Sequence, residues 1–243
     1  SMIHRSFFIF LLLSVHLFAI KSFDVAGIKE NINLTPYMHF KKDSNNSVHP
    51  EDILKSIDLK KLDKSNVGYS QSSYWSLLKL SNSSKEKKTI VLFNPRSGMD
   101  YLDVHVYRQE KAQNFKIGDM YPLKNRSLPS VFSNIMLDLD PKEEVFIVTQ
   151  ISNIGPVEVS WLIQDIAMFL HYDKIDTILV SLYYGFLVAI MIYTFFMFVL
   201  LRDKLYLVYS LYIACSIIAN SSLQGTLHYI SKDYIDYFTM SLL

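Results

Sequence analysis

Four side chains in this sequence have types and placements suited to binding chemistry: Trp75, His105, Tyr107 and Arg126. Arg126 follows Gly118-Asp119 and Pro122; a guanidinium there can clamp a carboxylate or phosphate through two parallel N–H donors, and it can equally form an ion pair with Asp119. His105 and Tyr107 stand on the polar side of the alternating run Tyr101 to Tyr107, where a strand presents them to a cleft or simply to water. Trp75 offers a ring that stacks on the apolar face of a sugar, though on its strand, Tyr74 to Leu80, it reads first as core. Trp161 shares a face with Val157, Val159 and Ile163 and reads as core. Asp138 and Asp140, two apart, have the residue types of a general acid and base, yet a solvated strand edge produces the same spacing.

Other chemistry is missing its parts. There is no G-x-S-x-G, H-E-x-x-H, G-x-G-x-x-G or Walker-type loop, and a single cysteine, Cys215, supports neither a disulfide nor a structural zinc site. No enzyme, cofactor or metal is expected in this chain. A formal charge of +1 removes any general attraction to nucleic acid.

The elements that would position these residues follow from where the hydrophobic half of the composition sits. Phe7 to Ile20 is one apolar run behind Arg5, the layout of a secretory signal, so residues 1–22 are expected to be a signal peptide, with an uncleaved anchor as the alternative. Ile178 to Leu201 contains no charged residue and is long enough for a transmembrane helix. Leu205 to Leu223 has the length of a second span but carries Ser210, Ser216, Asn220, Ser221 and Ser222, which suit either a helix packed among other helices or, for Asn220, the interface. Tyr234 to Leu243 reads as the start of a third. Arg202, Asp203 and Lys204 join the first two spans, and their basic excess places that loop in the cytoplasm and the segment before Ile178 outside.

That outer segment begins with a poorly patterned stretch over residues 23–66, in which Lys41 to His49 resembles a surface loop and Pro50-Glu51-Asp52 opens a short helix. From Val67 the period becomes two. Tyr74 to Leu80, Thr89 to Phe93, Tyr101 to Tyr107, Val131 to Leu139, Glu144 to Ile151 and Val157 to Ile163 read as strands, with Glu144 to Ile151 apolar on both faces and therefore central. Short strands at about ten-residue spacing without long helices between them predict a mainly β, antiparallel β-sandwich over residues 67–170, followed by transmembrane α-helices.

This order resembles the bacterial seven-transmembrane receptors with diverse intracellular signalling modules (7TM-DISM), with their second type of extracellular domain. The resemblance runs from about Asn66 to Ile230 and is carried by Val67-Gly68-Tyr69, Tyr74-Trp75, Leu80-Ser81-Asn82, Leu102 to Tyr107, Gly118-Asp119 with Pro122 and Arg126, Phe146-Ile147-Val148 and Trp161. In the apolar part it rests on Tyr184-Gly185, Met191-Ile192-Tyr193, Arg202 to Tyr209 and Gly225. Thr149 departs from a pattern that often has a basic residue there. The resemblance implies a jelly-roll-like sandwich similar to carbohydrate-binding modules, on a seven-helix bundle that ends in a cytoplasmic diguanylate cyclase, histidine kinase or phosphatase absent from this chain. It implies the input portion of a signalling receptor in the bacterial inner membrane, with the sandwich in the periplasm. The expected partners are a small-molecule ligand of carbohydrate kind or a periplasmic protein, the membrane, and a second copy in a homodimer. The alternative is a membrane-tethered binding or adhesion module without signalling output.

Overall fold

The computed structural model describes residues 20–224 except 29, 57, 62–63 and 109–111. The signal run up to residue 19 and the start of a third span at 234–243 lie outside the described residues. Two compact units divide the chain at Ile166.

The first unit is a sandwich of two sheets. The larger contains β1 (Phe23–Asp24), β5 (Ser73–Ser81), β10 (Glu144–Ser152), β7 (Tyr101–Tyr107) and β8 (Ala112–Ile117) in that order, with β3 (His39–Asp43) also paired to β5. The smaller runs β2 (Ile32–Asn33), β12 (Leu162–Gln164), β6 (Lys88–Phe93), β9 (Asn134–Leu139). A separate ribbon pairs β11 (Pro156–Glu158) with β4 (Asn66–Tyr69). All pairs are antiparallel except β1 with β5.

Alternation explains why these segments are strands. Leu102, Val104 and Val106 of β7 are fully buried while Asp103, His105 and Tyr107 between them are half-exposed. Leu78 and Leu80 of β5, Ile147 and Ile151 of β10, Ile90 and Leu92 of β6 and Ile135, Leu137 and Leu139 of β9 meet in one core. β10 is central, between β5 and β7, and buries both of its faces, as its unbroken apolar character predicts.

Several details differ from the sequence reading. Residues before 66 supply β1, β2 and β3 to the same two sheets, because Phe23, Leu34, Met38 and Phe40 are core residues. Lys41 to Asp43 is strand rather than loop. Val131 lies outside β9, which starts at Asn134, because the loop before it is held by the Asn134 side chain, donating to the carbonyls of Leu128 and Phe132. The single strand expected from Val157 to Ile163 is two, β11 and β12, paired in different sheets, although Val157, Val159, Trp161 and Ile163 are all buried in the core.

Ile20 and Ser22 are built into this unit. Ile20 is 7% exposed among Ile53, Trp75, Leu77 and Val148, and the Ser22 and Ser81 hydroxyls are 3.2 Å apart. The short helix α1 (Pro50–Lys55) forms where Pro50 suits the first turn; Glu51 and Asp52 stand at its positive end, and the Asp52 carboxylate accepts the His49 N–H.

Ser76 and Thr149 face one another across β5 and β10 on the core side, and neither hydroxyl has a hydrogen-bond partner. An unsatisfied buried hydroxyl costs about 1–3 kcal/mol. Thr149→Val should therefore raise the stability of the chain in detergent by about 1 kcal/mol, read as a higher midpoint of thermal unfolding. A lower midpoint would mean that the hydroxyl is paired in solution.

The second unit contains α2 (Ile166–Leu201) and α3 (Lys204–Leu223). α2 begins at Ile166, ahead of the apolar stretch itself, and both helices are long and apolar enough to cross a bilayer, with mean hydropathies of 2.3 and 1.4. Arg202 takes a left-handed conformation (φ 52°) that ends α2, and the Asp203 carboxylate caps α3 by accepting the Leu205 N–H. The polar side chains of α3 find backbone partners: Ser216 and Asn220 donate to carbonyls one turn back, and Ser210 donates to Met191 of α2. Tyr184 also donates to Gln224 at 3.1 Å.

Candidate functional site

Trp75, His105 and Tyr107 do share one surface, the outer face of the larger sheet. Trp75 and His105 stack with ring centroids 6.4 Å apart and planes inclined by 25°. That face is already occupied. Trp75 is 2% exposed, packed with Ile20, Ile53, Leu77 and Val148, and Tyr107 borders the same cluster. Burial and the nearby Glu51 charge push the Tyr107 hydroxyl above the usual phenol range. The half-exposed His105 shares a hydrogen bond of 2.9 Å between Nδ1 and Asn114 Oδ1.

Arg126 lies apart from these three. Its guanidinium donates to Asp119 Oδ1 at 2.8 Å and to the Ser130 carbonyl at 2.6 Å, with 2% of its side chain exposed. It ties the end of β8 to the loop before β9. The carboxylate pair is similarly committed: Asp138 binds Lys87 at 2.9 Å and accepts the Thr89 hydroxyl, and these contacts hold it below the ordinary carboxylate range. A polar hollow of about 300 Å³ includes Lys87, Arg108, Asp138 and Asp140; within it Lys87 pairs with Asp138, and Arg108 reaches out to Glu143 at 2.7 Å. A carboxylate kept ionised by a lysine is poorly suited to donate a proton. Among the described residues no group of three His, Cys, Asp or Glu is placed to hold a metal.

A larger cleft, of about 580 Å³, opens where β3 and β10 end and β5 and β7 begin. It is lined by Tyr69, Gln71, Tyr101, Ile154 and Asn46, with Ser70, Ser73, Ser152 and Asn153 between them. Sheet register creates it: Ser152 pairs with Tyr101 across β10 and β7, and Asp43 pairs with Ser73 across β3 and β5, so four chain segments end together.

Each wall is fastened. The Asn153 side chain accepts the Asp100 N–H and donates to the Pro156 carbonyl, while Asp100 accepts the Ile154 N–H at 2.6 Å. Gly118 (φ 125°) lets the next turn close on the same segment: a Cβ there would lie 2.4 Å from the Asp100 carbonyl oxygen, and Asp119 donates to the Met99 carbonyl at 2.7 Å. Tyr101 meets Tyr121 edge to face at 5.5 Å. Burial, with the hydrogen bond from its hydroxyl to Asp103, pushes the Tyr121 phenol far up.

On the opposite wall Asn46 is left-handed (φ 50°) and accepts the Ser73 hydroxyl at 2.7 Å. Its loop closes over the Asp43 carboxylate, which accepts the N–H groups of Asn45, Ser47 and Val48 and the Trp75 indole. Burial raises that carboxyl, but the four donors outweigh it and hold Asp43 below its ordinary value. Trp75 thus supports the cleft from behind. Of the cleft residues, Tyr69 and Tyr101 belong to stretches that stood out in the sequence, Val67-Gly68-Tyr69 and Tyr101 to Tyr107; the turn cluster Ser152 to Pro156 was another available signal.

A β-sandwich with an open aromatic cleft is thus continued in one chain by two helices long and apolar enough to cross a membrane. The chain belongs to the 7TMR-DISM extracellular 2 family, which matches residues 35–165, and residues 176–243 match the family described as 7TM diverse intracellular signalling. These are the regions of a transmembrane receptor that receive its input. No curated protein matches the chain. A similar solved structure is the native structure of a family 35 carbohydrate binding module from Clostridium thermocellum, at 8% identity over 56% of this chain and 98% of that chain, with a TM-score of 0.26.

Proposed function

We propose that this chain is the ligand-sensing input of a bacterial signalling receptor in the inner membrane, spanning it several times with the sandwich in the periplasm. The observation that carries the reading is the succession, in one chain, of an extracellular-type domain and a seven-transmembrane-type region. The ligand is a small molecule of carbohydrate kind, or a periplasmic partner, that binds one arrangement of the sandwich more tightly than another. That difference in affinity is what biases the helices and, through them, a cytoplasmic output domain. A homodimer would carry the signal in the same way. The export signal ends before Ile20 rather than at residue 22 in this reading, which the contacts of Ile20 and Ser22 within the sandwich support.

Labelling tests the topology. In a Cys215→Ser background, Lys85→Cys in the turn after β5 should react with a membrane-impermeant maleimide once the outer envelope is opened. Lys204→Cys, at the start of α3, should react only after the inner membrane is lysed. The reverse pattern would place the sandwich in the cytoplasm and end the reading. N-terminal sequencing of the same material should begin at or before Ile20.

A further inference from the structure

We infer that the cleft formed by Tyr69, Tyr101, Gln71 and Asn46 is the ligand site, and that it takes an uncharged, polyhydroxylated molecule, a neutral sugar. This rests on the receptor reading and adds to it the place and the charge of the ligand.

The first reason is where the sandwich leaves apolar surface uncovered. Among its described residues, five large apolar side chains are exposed, Tyr69, Tyr101, Met120, Met136 and Ile154, and three of the five line this one cleft. Tyr69 and Ile154 are each 80% exposed. Apolar surface gathered in a concavity, rather than scattered singly, marks a binding site.

The second reason is the polar complement. Between the rings stand two primary amides within reach of solvent, those of Asn46 and Gln71, and three serine hydroxyls. Amides and hydroxyls both donate and accept, which matches the hydroxyl groups of a sugar, while its C–H face stacks on a tyrosine ring. Among the described residues no Asp, Glu, Lys, Arg or His lines the cleft. A carboxylate or phosphate would enter without a cation to meet it, and an amine without an anion, each at a desolvation cost that a neutral ligand avoids. The polar hollow beside Lys87 offers the contrast, since its Lys87 and Asp138 already neutralise each other.

The third reason is rigidity. Tyr101 is braced by Tyr121, the Ile154 turn by Asp100 and Asn153, and Asn46 by Ser73 and the loop closed on Asp43. A site whose walls are already ordered loses little entropy on binding. The dimensions also suit a small ligand: about 580 Å³ falls within the usual range for such sites.

The test uses the full chain in detergent, with thermophoresis against neutral disaccharides (maltose, cellobiose, xylobiose, mannobiose, lactose and N,N′-diacetylchitobiose) and acidic ones (digalacturonate and a hyaluronan disaccharide). At least one neutral disaccharide should bind. Tyr101→Ala and Gln71→Ala should each weaken it at least tenfold with unfolding midpoints unchanged, while Met136→Ala, away from the cleft, should not. Neutral-sugar binding that survives Tyr69→Ala, Tyr101→Ala and Gln71→Ala would overturn the site and leave the receptor reading standing. Binding of the acidic disaccharides alone would overturn the charge assignment. Binding of none would overturn the ligand class; the maleimide pattern separately decides whether the sandwich faces the periplasm, on which the receptor reading depends.

Discussion

Arg126→Ala should destabilise the sandwich by about 3–5 kcal/mol, the cost of leaving a buried charge without its partner. The guanidinium has 2% of its surface exposed and Asp119 12%, so water screens the pair little. Removing it takes the guanidinium from the Asp119 carboxylate and the Ser130 carbonyl, through which it holds the end of β8 to the loop before β9. Against a total stability of about 5–15 kcal/mol, a loss of that size is visible as a large fall in the unfolding midpoint. Arg126→Lys should recover only part of it, because an ammonium cannot span both acceptors with the planar geometry of a guanidinium. The measurement also separates the two roles open to this residue from its sequence position. A ligand clamp would leave the fold intact when removed and abolish binding; a fastening inside the fold does the opposite.

Trp75→Ala should cost about 3–5 kcal/mol as well, by a different route. The indole fills the space between α1 and the outer face of the larger sheet, against Ile20, Ile53, Leu77 and Val148. A cavity there is not easily closed, since Leu77 and Val148 are fixed in paired strands. The Asp43 carboxylate also loses one of its four donors, loosening the loop that presents Asn46 to the cleft. Trp75→Phe keeps most of the volume and removes only the N–H, so it should cost much less. Equal losses for the two substitutions, measured by thermal unfolding, would show that the hydrogen bond rather than the packing carries the effect.

How far the molecule could be read from its sequence depended on how each residue is buried. β7 was legible because it is buried on one side, so apolar and polar residues alternate from Tyr101 to Tyr107. β8, an edge strand, was not: only Ile117 at its end is buried, and the rest leaves little pattern. β3 was hidden by Lys41 and Lys42, which break the apolar pattern between Phe40, buried in the core on one face, and Asp43, buried under its own loop on the other. Of the residues singled out for binding, Trp75 lies in β5 and His105 and Tyr107 in β7, the strands that their alternation predicted. Nothing local announced that α1 and Ile20 would cover Trp75, because those contacts join residues far apart in the chain.

Composition and period, both short-range properties, were enough to divide this chain into a sheet-built part and an apolar helical part, since burial in a sheet or in lipid leaves its mark on consecutive residues. The cleft is of another kind. Asn46, Tyr101 and Ile154 meet because β3, β5, β7 and β10 pair in one register and end together, with Tyr69 brought in where β4 pairs with Pro156 of β11, and a register is a relation between distant strands that no single stretch of residues encodes.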